Sequence, residues 1–517
     1  MKDKQLLSWN GNSIYMTCRI CQREGQFKHT VTANTQIPDL PSVTFYKCSH
    51  CQALNAVADV FIDYEVSSNC HTIPSWVRHY AQVGAGIDSM IRPLQRTAPR
   101  INTTMLDVGC GIGYTVDFWN YAYGRAYGVE PSGYSDYSKS LNIEIYDAYV
   151  GEVEQLQNEK FDRVLSAEVI EHVDDINEFV KILKLLLDHK GILIVTTPNS
   201  DFISQENSIP AIYAALSPGF HRVLFSTTSL ELTLQRSGFK YVKSYSTQEQ
   251  IVSFASSEEF DLSRNLEEER SQYISYLRAS LTKGNNDIRM GFLFRFMKEC
   301  VNLSNYVDAH AAWDDLKVLV QEKFELDLCD YKSIIGRTEK VNKFDDYVKL
   351  YPFFLPAALY YASMATLNGE ALVPDAAHGF LIAAETAHKQ FTIAPGYSQE
   401  SASIYWLALL HSAVADIYSG NHESAQMKLQ KIIDSVNQEN VGDDLQPSQD
   451  VISRSMRELA VSLLQSGEPE LSMRQFRLCI NKCESKSFKE DTYQIWGTAL
   501  QQASQLYTMA GSLLADE

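Results

Sequence analysis

The sequence predicts an α/β fold in the middle of the chain, a small cysteine-containing module before it and an all-α half after it. Three observations lead to this prediction. Two Cys-x2-Cys pairs stand near the N-terminus, at 18–21 and 48–51. From about residue 104, short apolar runs alternate with helical stretches, which is typical of a parallel sheet with crossover helices. From about residue 257 the pattern is helical throughout, and glycine and proline lie between the helical segments.

Length and composition indicate how many domains the chain has and which partners are excluded. The chain has 517 residues, whereas a domain usually has about 100–200, so we predict a module at 1–62, a domain at 63–250 and a helical domain at 251–517. The hydrophobic fraction of 45% is that of a globular protein, and the net charge is −19. Such acidity argues against nucleic acid or an anionic membrane as the main partner.

Two further features bear on location. The sequence has no apolar run long enough to span a membrane, and its first residues lack the apolar segment of a secretory signal. We therefore expect a cytoplasmic protein without a membrane span.

The N-terminal cysteines form a metal-binding pattern. Cys18 and Cys21 are followed, after 26 residues, by Cys48 and Cys51. A two-residue gap lets both sulfurs of a pair face one ion, and four thiolates suit tetrahedral Zn²⁺. Because sulfur would fill all four positions, the predicted site is structural, in a zinc-ribbon-like module. Reduced thiols without a metal are the alternative.

The central domain opens with a strand, a glycine-rich turn and a helix. The strand ends at Asp107, and Gly109, Gly111 and Gly113 follow. Such a turn lets the backbone approach a ligand and places N–H groups at a helix start. The next strand ends at Glu130, where a carboxylate can accept hydrogen bonds from ribose hydroxyls. The pattern favours an adenosine-containing cofactor.

Several motifs in order carry a family resemblance. The run LDVGCGIGY, then YGVEPS, FDRVLSAEVIEHVDD and KGILIVTTPN, resembles class I S-adenosylmethionine-dependent methyltransferases over about residues 80–250. The resemblance implies a Rossmann-like sheet and S-adenosylmethionine as cofactor. It also implies that the three glycines line the methionine part, that Asp107 lies near its amine, that Glu130 holds the ribose and that Asp147 lies by the adenine.

The segment after the fourth strand offers two carboxylates and an imidazole. Glu168, Glu171 and His172 are close in sequence, and His221 follows in a later loop. Oxygen ligands with one or two nitrogens suit Mg²⁺ or Mn²⁺. The set resembles two metal-dependent O-methyltransferase groups, one in ubiquinone biosynthesis and one that methylates the terminal 2′-hydroxyl of small RNAs. This resemblance implies that all four residues are metal ligands.

Metal-free alternatives remain for the same residues. Many methyltransferases without a metal carry the same Glu-His pair after strand four, here Glu171 and His172, where it orients the loop and the cofactor. Glu168 is then expected beside the cofactor. His221 would then be a general base, since methyl transfer to a hydroxyl needs only proton removal and in-line placement. A purely structural His221 is the third alternative.

The C-terminal half repeats a turn pattern. Turns near Ser304, Gly420 and Gly467 are each followed, five positions later, by a small residue: Ala309, Ala425 and Ser472. This layout resembles tetratricopeptide hairpins, in which a small residue lets two helices approach. The resemblance implies a surface for a protein partner or for self-association.

Together these features predict an S-adenosylmethionine-dependent methyltransferase that O-methylates a saccharide or another small polar metabolite. An RNA 2′-O-methyltransferase is an alternative, which the charge opposes. A cysteine module before a methyltransferase also resembles sugar C-methyltransferases, but these carry a second Rossmann-like half that is missing after Tyr245. A scaffold protein with a vestigial methyltransferase fold is the last alternative.

Overall fold

The computed structural model describes nearly all of the chain in two compact units, residues 1–296 and 297–517. The described residues are 6–37, 40–59, 61, 73–132, 134–156, 158–205, 207, 209–263, 265–370, 372–394, 399–435, 447–484 and 493–515. In these ranges no helix is both long enough and apolar enough to cross a membrane.

The first unit contains two sheets. Their strands, in chain order, are β1 Leu7–Ser8, β2 Ile14–Thr17, β3 Glu24–Ile37, β4 Leu40–Lys47, β5 Leu54–Val57, β6 Thr103–Val108, β7 Gly124–Val129, β8 Ile145–Tyr146, β9 Phe161–Ala167, β10 Leu187–Pro198, β11 Val223–Leu224, β12 Tyr241–Ser246 and β13 Gln250–Ser256.

The N-terminal sheet is antiparallel, with the order β1-β3-β4-β5-β11, and β2 pairs with β3 outside this path. Its strands alternate in burial, and in β4 Val43 and Phe45 are fully buried while Ser42 and Thr44 are more exposed. This period of two is that of a sheet with one face on a core. Its last strand, β11, comes from a distant part of the chain.

The central sheet has the order β12-β13-β10-β9-β6-β7-β8. The strands from β10 to β8 are parallel, and β12 and β13 add an antiparallel edge. The order of the parallel strands reverses at β6: β7 and β8 lie on one side of it, and β9 and β10 lie on the other. Ligands bind at the carboxyl edge beside such a switch point. The predicted Rossmann-like α/β fold is confirmed, as a mixed sheet.

Helices pack against both sheets. They are α1 Ile73–Val83, α2 Ile87–Arg96, α3 Tyr114–Ala122, α4 Ser135–Ser140, α5 Ile176–Leu185, α6 Ile209–Leu216, α7 Thr227–Arg236, α8 Leu266–Ser280 and α9 Asn286–Asn302, which begins in this unit. Helix α6 packs in the core of the N-terminal sheet. Asp175 caps α5 and Ser226 caps α7 through side-chain bonds to backbone N–H groups, which satisfies donors that a helix start leaves free.

The predicted domain bounds stay predictions, and two observations bear on them. The predicted boundary at 250/251 falls at the start of β13, whose residues pair with both β10 and β12. The boundary between the two compact units lies at 296/297. The predicted boundary at 62/63 lies outside the described residues, and β11 joins residues of the central domain to the N-terminal sheet.

The described part of the second unit is helical, which confirms the predicted all-α half. Its helices are α10 Tyr306–Phe324, α11 Tyr331–Lys340, α12 Phe344–Leu350, α13 Leu355–Ala365, α14 Val373–Ile393, α15 Gln399–Tyr418, α16 His422–Asp434, α17 Gln449–Gln465, α18 Pro469–Glu484 and α19 Tyr493–Ala515.

The predicted turns of this half lie between helices. Gly420 and Gly467 have φ of 75° and 82°, a region that glycine enters without a Cβ penalty. The small residues Ala309, Ala425 and Ser472 are fully buried, as close approach of two helices requires. The tetratricopeptide-like character of these hairpins stays a prediction.

Candidate functional site

The glycine-rich turn connects β6 to α3 at the switch point of the central sheet. Gly109, Gly111 and Gly113 have φ of 79°, 55° and 90°. A Cβ on Gly109 or Gly113 would come within 2.4 Å of Val169 or Ile143, whereas a Cβ on Gly111 would have its nearest neighbour, Tyr134, at 4.0 Å. The outer two glycines are therefore needed for packing, and Gly111 borders open space.

Asp107 ends β6 directly before this turn. Its carboxyl group is buried, and Oδ2 accepts a hydrogen bond from the hydroxyl of Thr115 in α3. The other oxygen, Oδ1, is buried without a hydrogen-bond partner. Burial raises the pKa of Asp107 to about 7. An unpaired buried carboxylate oxygen is costly, so this atom suits a cationic ligand group such as an amine.

Glu130 follows β7 and is tied to the same turn. Its Oε2 accepts from the amide of Gly111 at 2.8 Å, and its Oε1 accepts from the amide of Ser132 at 3.0 Å and from the hydroxyl of that serine at 2.5 Å. Burial raises the pKa of Glu130. Asp147, after β8, is exposed and also raises this pKa through its charge. The residues predicted around the cofactor are thus neighbours, although their roles stay predictions.

Glu168 and Glu171 follow β9 but have different surroundings. Glu168 has a left-handed backbone with φ of 57°, and its Oε1 accepts hydrogen bonds from Thr196 Oγ1 and Gln250 Nε2, both at 2.8 Å. Glu171 is fully buried, and its Oε2 accepts from Thr197 Oγ1 at 3.0 Å. Its Oε1 has no hydrogen-bond partner. Burial raises the pKa of both carboxyl groups.

Two imidazole nitrogens approach this unpaired oxygen. Nε2 of His172 and Nε2 of His221 each lie 3.9 Å from Glu171 Oε1, and the two rings are edge to face with centroids 4.6 Å apart. The structure thus brings together three of the four residues predicted as metal ligands. Glu168 lies outside this three-residue cluster.

Backbone carbonyl groups fix the tautomers of both histidines. His172 Nδ1 lies 3.2 Å from the carbonyl oxygen of Phe220, and His221 Nδ1 lies 2.8 Å from that of Ala215. Because a carbonyl oxygen only accepts, each Nδ1 carries a proton and each Nε2 presents a lone pair. Burial lowers the pKa of His172 to about 4 and that of His221 well below its ordinary value, so both rings are neutral at pH 7.

The three-residue cluster fits a divalent ion. Ion–ligand distances of about 2.1 Å separate two ligand atoms by between about 3.0 and about 4.2 Å, depending on their angle. The 3.9 Å spacings lie in this range and are too long for hydrogen bonds. Two imidazole nitrogens and a carboxylate oxygen at these distances suit a divalent cation, and imidazoles held through Nδ1–H are typical of metal ligands. The ion itself stays a prediction.

The four cysteines form a second and denser cluster. Cys18 Sγ lies 3.5 Å from Cys51 Sγ, and Cys21 Sγ lies 3.8 Å from Cys48 Sγ. Zinc–sulfur bonds of about 2.3 Å in a tetrahedron place sulfurs about 3.8 Å apart. The amides of Ile20 and His50 each approach a cysteine sulfur at 3.4 Å. The geometry fits Zn²⁺, and zinc stays a prediction.

Some side chains that hydrogen-bond to the predicted site residues could not be identified from the sequence. Thr115, Thr197 and Gln250 hold Asp107, Glu171 and Glu168, but no motif marks them. Thr115 has one usable signal, since it stands in the first turn of the helix after the glycines. No motif marks the aromatic contact beside His221 either: Trp76 of α1 lies 5.4 Å from Phe220, centroid to centroid, and Phe220 precedes His221.

Comparison with known proteins agrees with this geometry. Residues 78–244 match a family model described as a methyltransferase domain. The chain is 31% identical over 126 residues to a ubiquinone biosynthesis O-methyltransferase of Rhodopseudomonas palustris strain BisB18, and 30% identical over 126 residues to one of Bradyrhizobium sp. strain ORS 278. Each match covers 23% of this chain and 50% of the relative.

Among solved structures, a magnesium protoporphyrin IX methyltransferase of Synechocystis PCC 6803 with bound S-adenosylmethionine aligns with a TM-score of 0.28 and 16% identity, over 38% of this chain and 98% of that one. The family match covers the glycine-rich turn, the acidic residues and the three-residue cluster. The chain therefore contains a methyltransferase domain at residues 78–244.

Proposed function

We propose that this protein transfers a methyl group from S-adenosylmethionine to a hydroxyl group of a small polar molecule, and that Glu171, His172 and His221 hold a divalent ion beside the acceptor. The observation that carries the proposal is the convergence of two lone-pair nitrogens on one unpaired carboxylate oxygen at 3.9 Å. The name of the relatives, ubiquinone biosynthesis O-methyltransferase, supports a small-molecule hydroxyl as acceptor.

The glycine-rich turn and its acids would bind the cofactor. S-adenosylmethionine supplies an electrophilic methyl group on a sulfonium centre. The unpaired Oδ1 of Asp107 would accept a hydrogen bond from the amine, and Glu130 would accept from the ribose. The open side of Gly111 leaves room for the ligand against the backbone. These residues bind and orient the methyl donor, which is most of what an in-line transfer requires.

The three-residue cluster would prepare the acceptor. A divalent ion supplies positive charge that lowers the pKa of a bound hydroxyl. Neutral imidazoles are needed as ligands, and burial keeps both rings neutral. The carbonyl oxygens of Phe220 and Ala215 hold the two Nδ1 protons, so both Nε2 atoms stay directed at Glu171. In the metal-free alternative, His221 Nε2 would accept the hydroxyl proton itself.

The net charge of the chain argues against RNA as the methyl acceptor. With a net charge of −19, a saccharide or another small polar metabolite is a better acceptor than RNA, whose binding depends on clustered Lys and Arg. The helical half would serve as a surface for a protein partner or for self-association.

A direct experiment tests cofactor binding first. We expect Gly111→Leu to weaken S-adenosylmethionine binding, measured by calorimetry, by about 100-fold, because the side chain fills the open space and overpacking costs a few kcal/mol. Gly420→Leu is the matched control, since Gly420 also has a positive φ and no atom within 4 Å of the position that a Cβ would take, but lies in the second unit. Equal affinities in Gly111→Leu and the unchanged protein would contradict the proposed cofactor site.

Activity then separates the two roles of His221. The protein is incubated with methyl-labelled cofactor and three acceptor panels: saccharides, catechol-type compounds and RNA with a free terminal 2′-hydroxyl. We expect EDTA to abolish transfer and Mn²⁺ or Mg²⁺ to restore it, while zinc content, followed separately, stays constant. Transfer that resists EDTA would make His221 a general base, and labelled RNA would overturn the acceptor class.

A further inference from the structure

The chain directly after His221 is the edge strand of the N-terminal sheet. Val223 pairs with Asn55 and Leu224 with Leu54, antiparallel, and the amide of Ala56 donates to the carbonyl oxygen of Arg222 at 3.0 Å. The backbone on one side of His221 is therefore part of the sheet that carries the four cysteines.

The same segment also contacts the loop of the other two cluster residues. The amide of Arg222 donates to the carbonyl oxygen of Glu171 at 2.8 Å, and its Nε donates to that of His172 at 2.9 Å. Its Nη1 lies 2.9 Å from Asp174 Oδ1. Arg222 thus joins the His221 loop to the Glu171–His172 loop, while its own carbonyl group is bound by the N-terminal sheet.

Asn55 connects this strand to the cysteine cluster. Its side chain is fully buried, its Oδ1 accepts from the amide of Arg19 at 2.8 Å, and its Nδ2 approaches Cys18 Sγ at 3.6 Å. A second link runs from Ser226 Oγ to the carbonyl oxygen of Cys51 at 3.0 Å. Hydrogen bonds therefore tie both ends of the segment 222–226 to the two cysteine knuckles.

Apolar packing also connects residues 223–225 to both sheets of the first unit. Val223, Leu224 and Phe225 are fully buried. Val223 and Phe225 belong to a core that also contains the four cysteines and strands of the central sheet, whereas Leu224 packs in the core of the N-terminal sheet with Leu54 and Ala56. Alternate side chains of residues 223–225 thus enter two cores, which fixes the register of this segment.

We propose that the four-cysteine module is a positioning element for the methyltransferase site, and that Asn55 is the positioning residue that carries its order to His221. The module holds the backbone of 222–226 in register, and this register sets where His221 Nε2 lies relative to Glu171 Oε1. The inference rests on the proposed function only in the role given to His221, since the hydrogen-bonded connection itself is independent of the chemistry.

Hydrogen–deuterium exchange of Asn55→Ala tests the connection. We expect amides of 222–226 to exchange about tenfold faster than in the unchanged protein, because local opening follows the loss of local contacts, while Thr103–Val108 and Gly124–Val129 keep their rates. Thr44→Ala is the matched control, since Thr44 bonds to Thr32 in the same sheet away from β11. Asn55→Asp keeps the acceptor for Arg19 and removes the donor to Cys18, so it gives the same local result if Asn55→Ala does not fold.

Metal binding supplies the second measurement. In zinc-loaded protein, we expect Asn55→Ala to weaken Mn²⁺ binding, followed by electron paramagnetic resonance, by about tenfold and to leave cofactor affinity within about twofold. Unchanged exchange at 222–226, or a rise that extends equally to the central strands, would overturn the positioning role. Absence of Mn²⁺ binding in the unchanged protein would instead contradict the proposed metal site and leave the exchange result to decide this inference.

Discussion

The two clusters of metal-ligand type in the first unit differ in how completely they could surround an ion. The four cysteines offer four sulfurs, all of them buried. The cluster of Glu171, His172 and His221 offers three atoms, and the side chain of His172 keeps 18% of its surface exposed. A structural zinc site is closed by four protein ligands, whereas a catalytic site keeps a position for water or substrate.

This difference teaches how the chain separates stability from chemistry. The four-cysteine cluster, called closed because sulfur would fill all four positions, connects the two knuckles and supports a sheet. Its loss should therefore destabilise the fold. The cluster of Glu171, His172 and His221, called open because one position stays free for a ligand, is oriented by hydrogen bonds to carbonyl oxygens and from Thr197. Its loss should therefore remove function and leave the protein folded. The following predictions test this separation.

The largest effect is expected at the closed cluster. Cys48→Ser removes one of four sulfurs, and we expect zinc, measured by atomic absorption on the purified protein, to fall from one equivalent to none. Because metal binding is folding free energy in such a module, the melting temperature should fall by about 10 °C or more.

Cys329→Ser is the control for this change, because Cys329 is exposed and lies in the second unit. It should keep both the zinc and the melting temperature. A Cys48→Ser protein with full zinc and an unchanged melting temperature would contradict a structural metal site and leave four reduced thiols.

A smaller effect separates two neighbouring carboxylates. We expect Glu171→Gln to weaken Mn²⁺ binding by about 100-fold, since it removes the ligand charge, with little change in melting temperature. Glu168→Gln is the matched control and should change the affinity by about threefold or less, because Glu168 Oε1 already accepts two hydrogen bonds. Equal losses in calorimetry would make Glu168 a fourth ligand and would remove the open position from the comparison.

The parts of the fold that sequence could predict are those written in local patterns. The strand, glycine turn and helix from Thr104 to Tyr114 predict β6 and α3, and the turns at Gly420 and Gly467 predict helix ends. The strand β11 could not be predicted, because two residues carry no period and their pairing depends on Asn55, far away in sequence. The pairing of β13 could not be predicted for a similar reason, because its partner β10 is far away in sequence.

The candidate site divides in the same way. Glu171 and His172 are adjacent and can be found together, and His221 joins them through a resemblance. Sequence spacing places Glu168 with them, but its positive φ of 57° and its bonds to Thr196 and Gln250 direct its Oε1 elsewhere. A backbone angle and two long-range partners are invisible in a motif, so only the structure distinguishes two glutamates that stand three residues apart.

The smallest predicted effect concerns Asp107, whose Oδ1, like Glu171 Oε1, is buried without a hydrogen-bond partner. Burial raises its pKa to about 7, so the carboxyl group is mostly neutral below this pH and gains charge as pH rises. A cationic amine binds the charged form better, and the amine of the cofactor stays largely protonated below about pH 7.7, so affinity should rise about fivefold between about pH 6 and about pH 7.5. Calorimetry at these two pH values measures it, with Asp107→Asn as control, which should bind weakly at both. An affinity that falls with rising pH would mean that Asp107 binds as a neutral acid, and the parallel between the two unpaired oxygens, one for an amine and one for a metal ion, would fail.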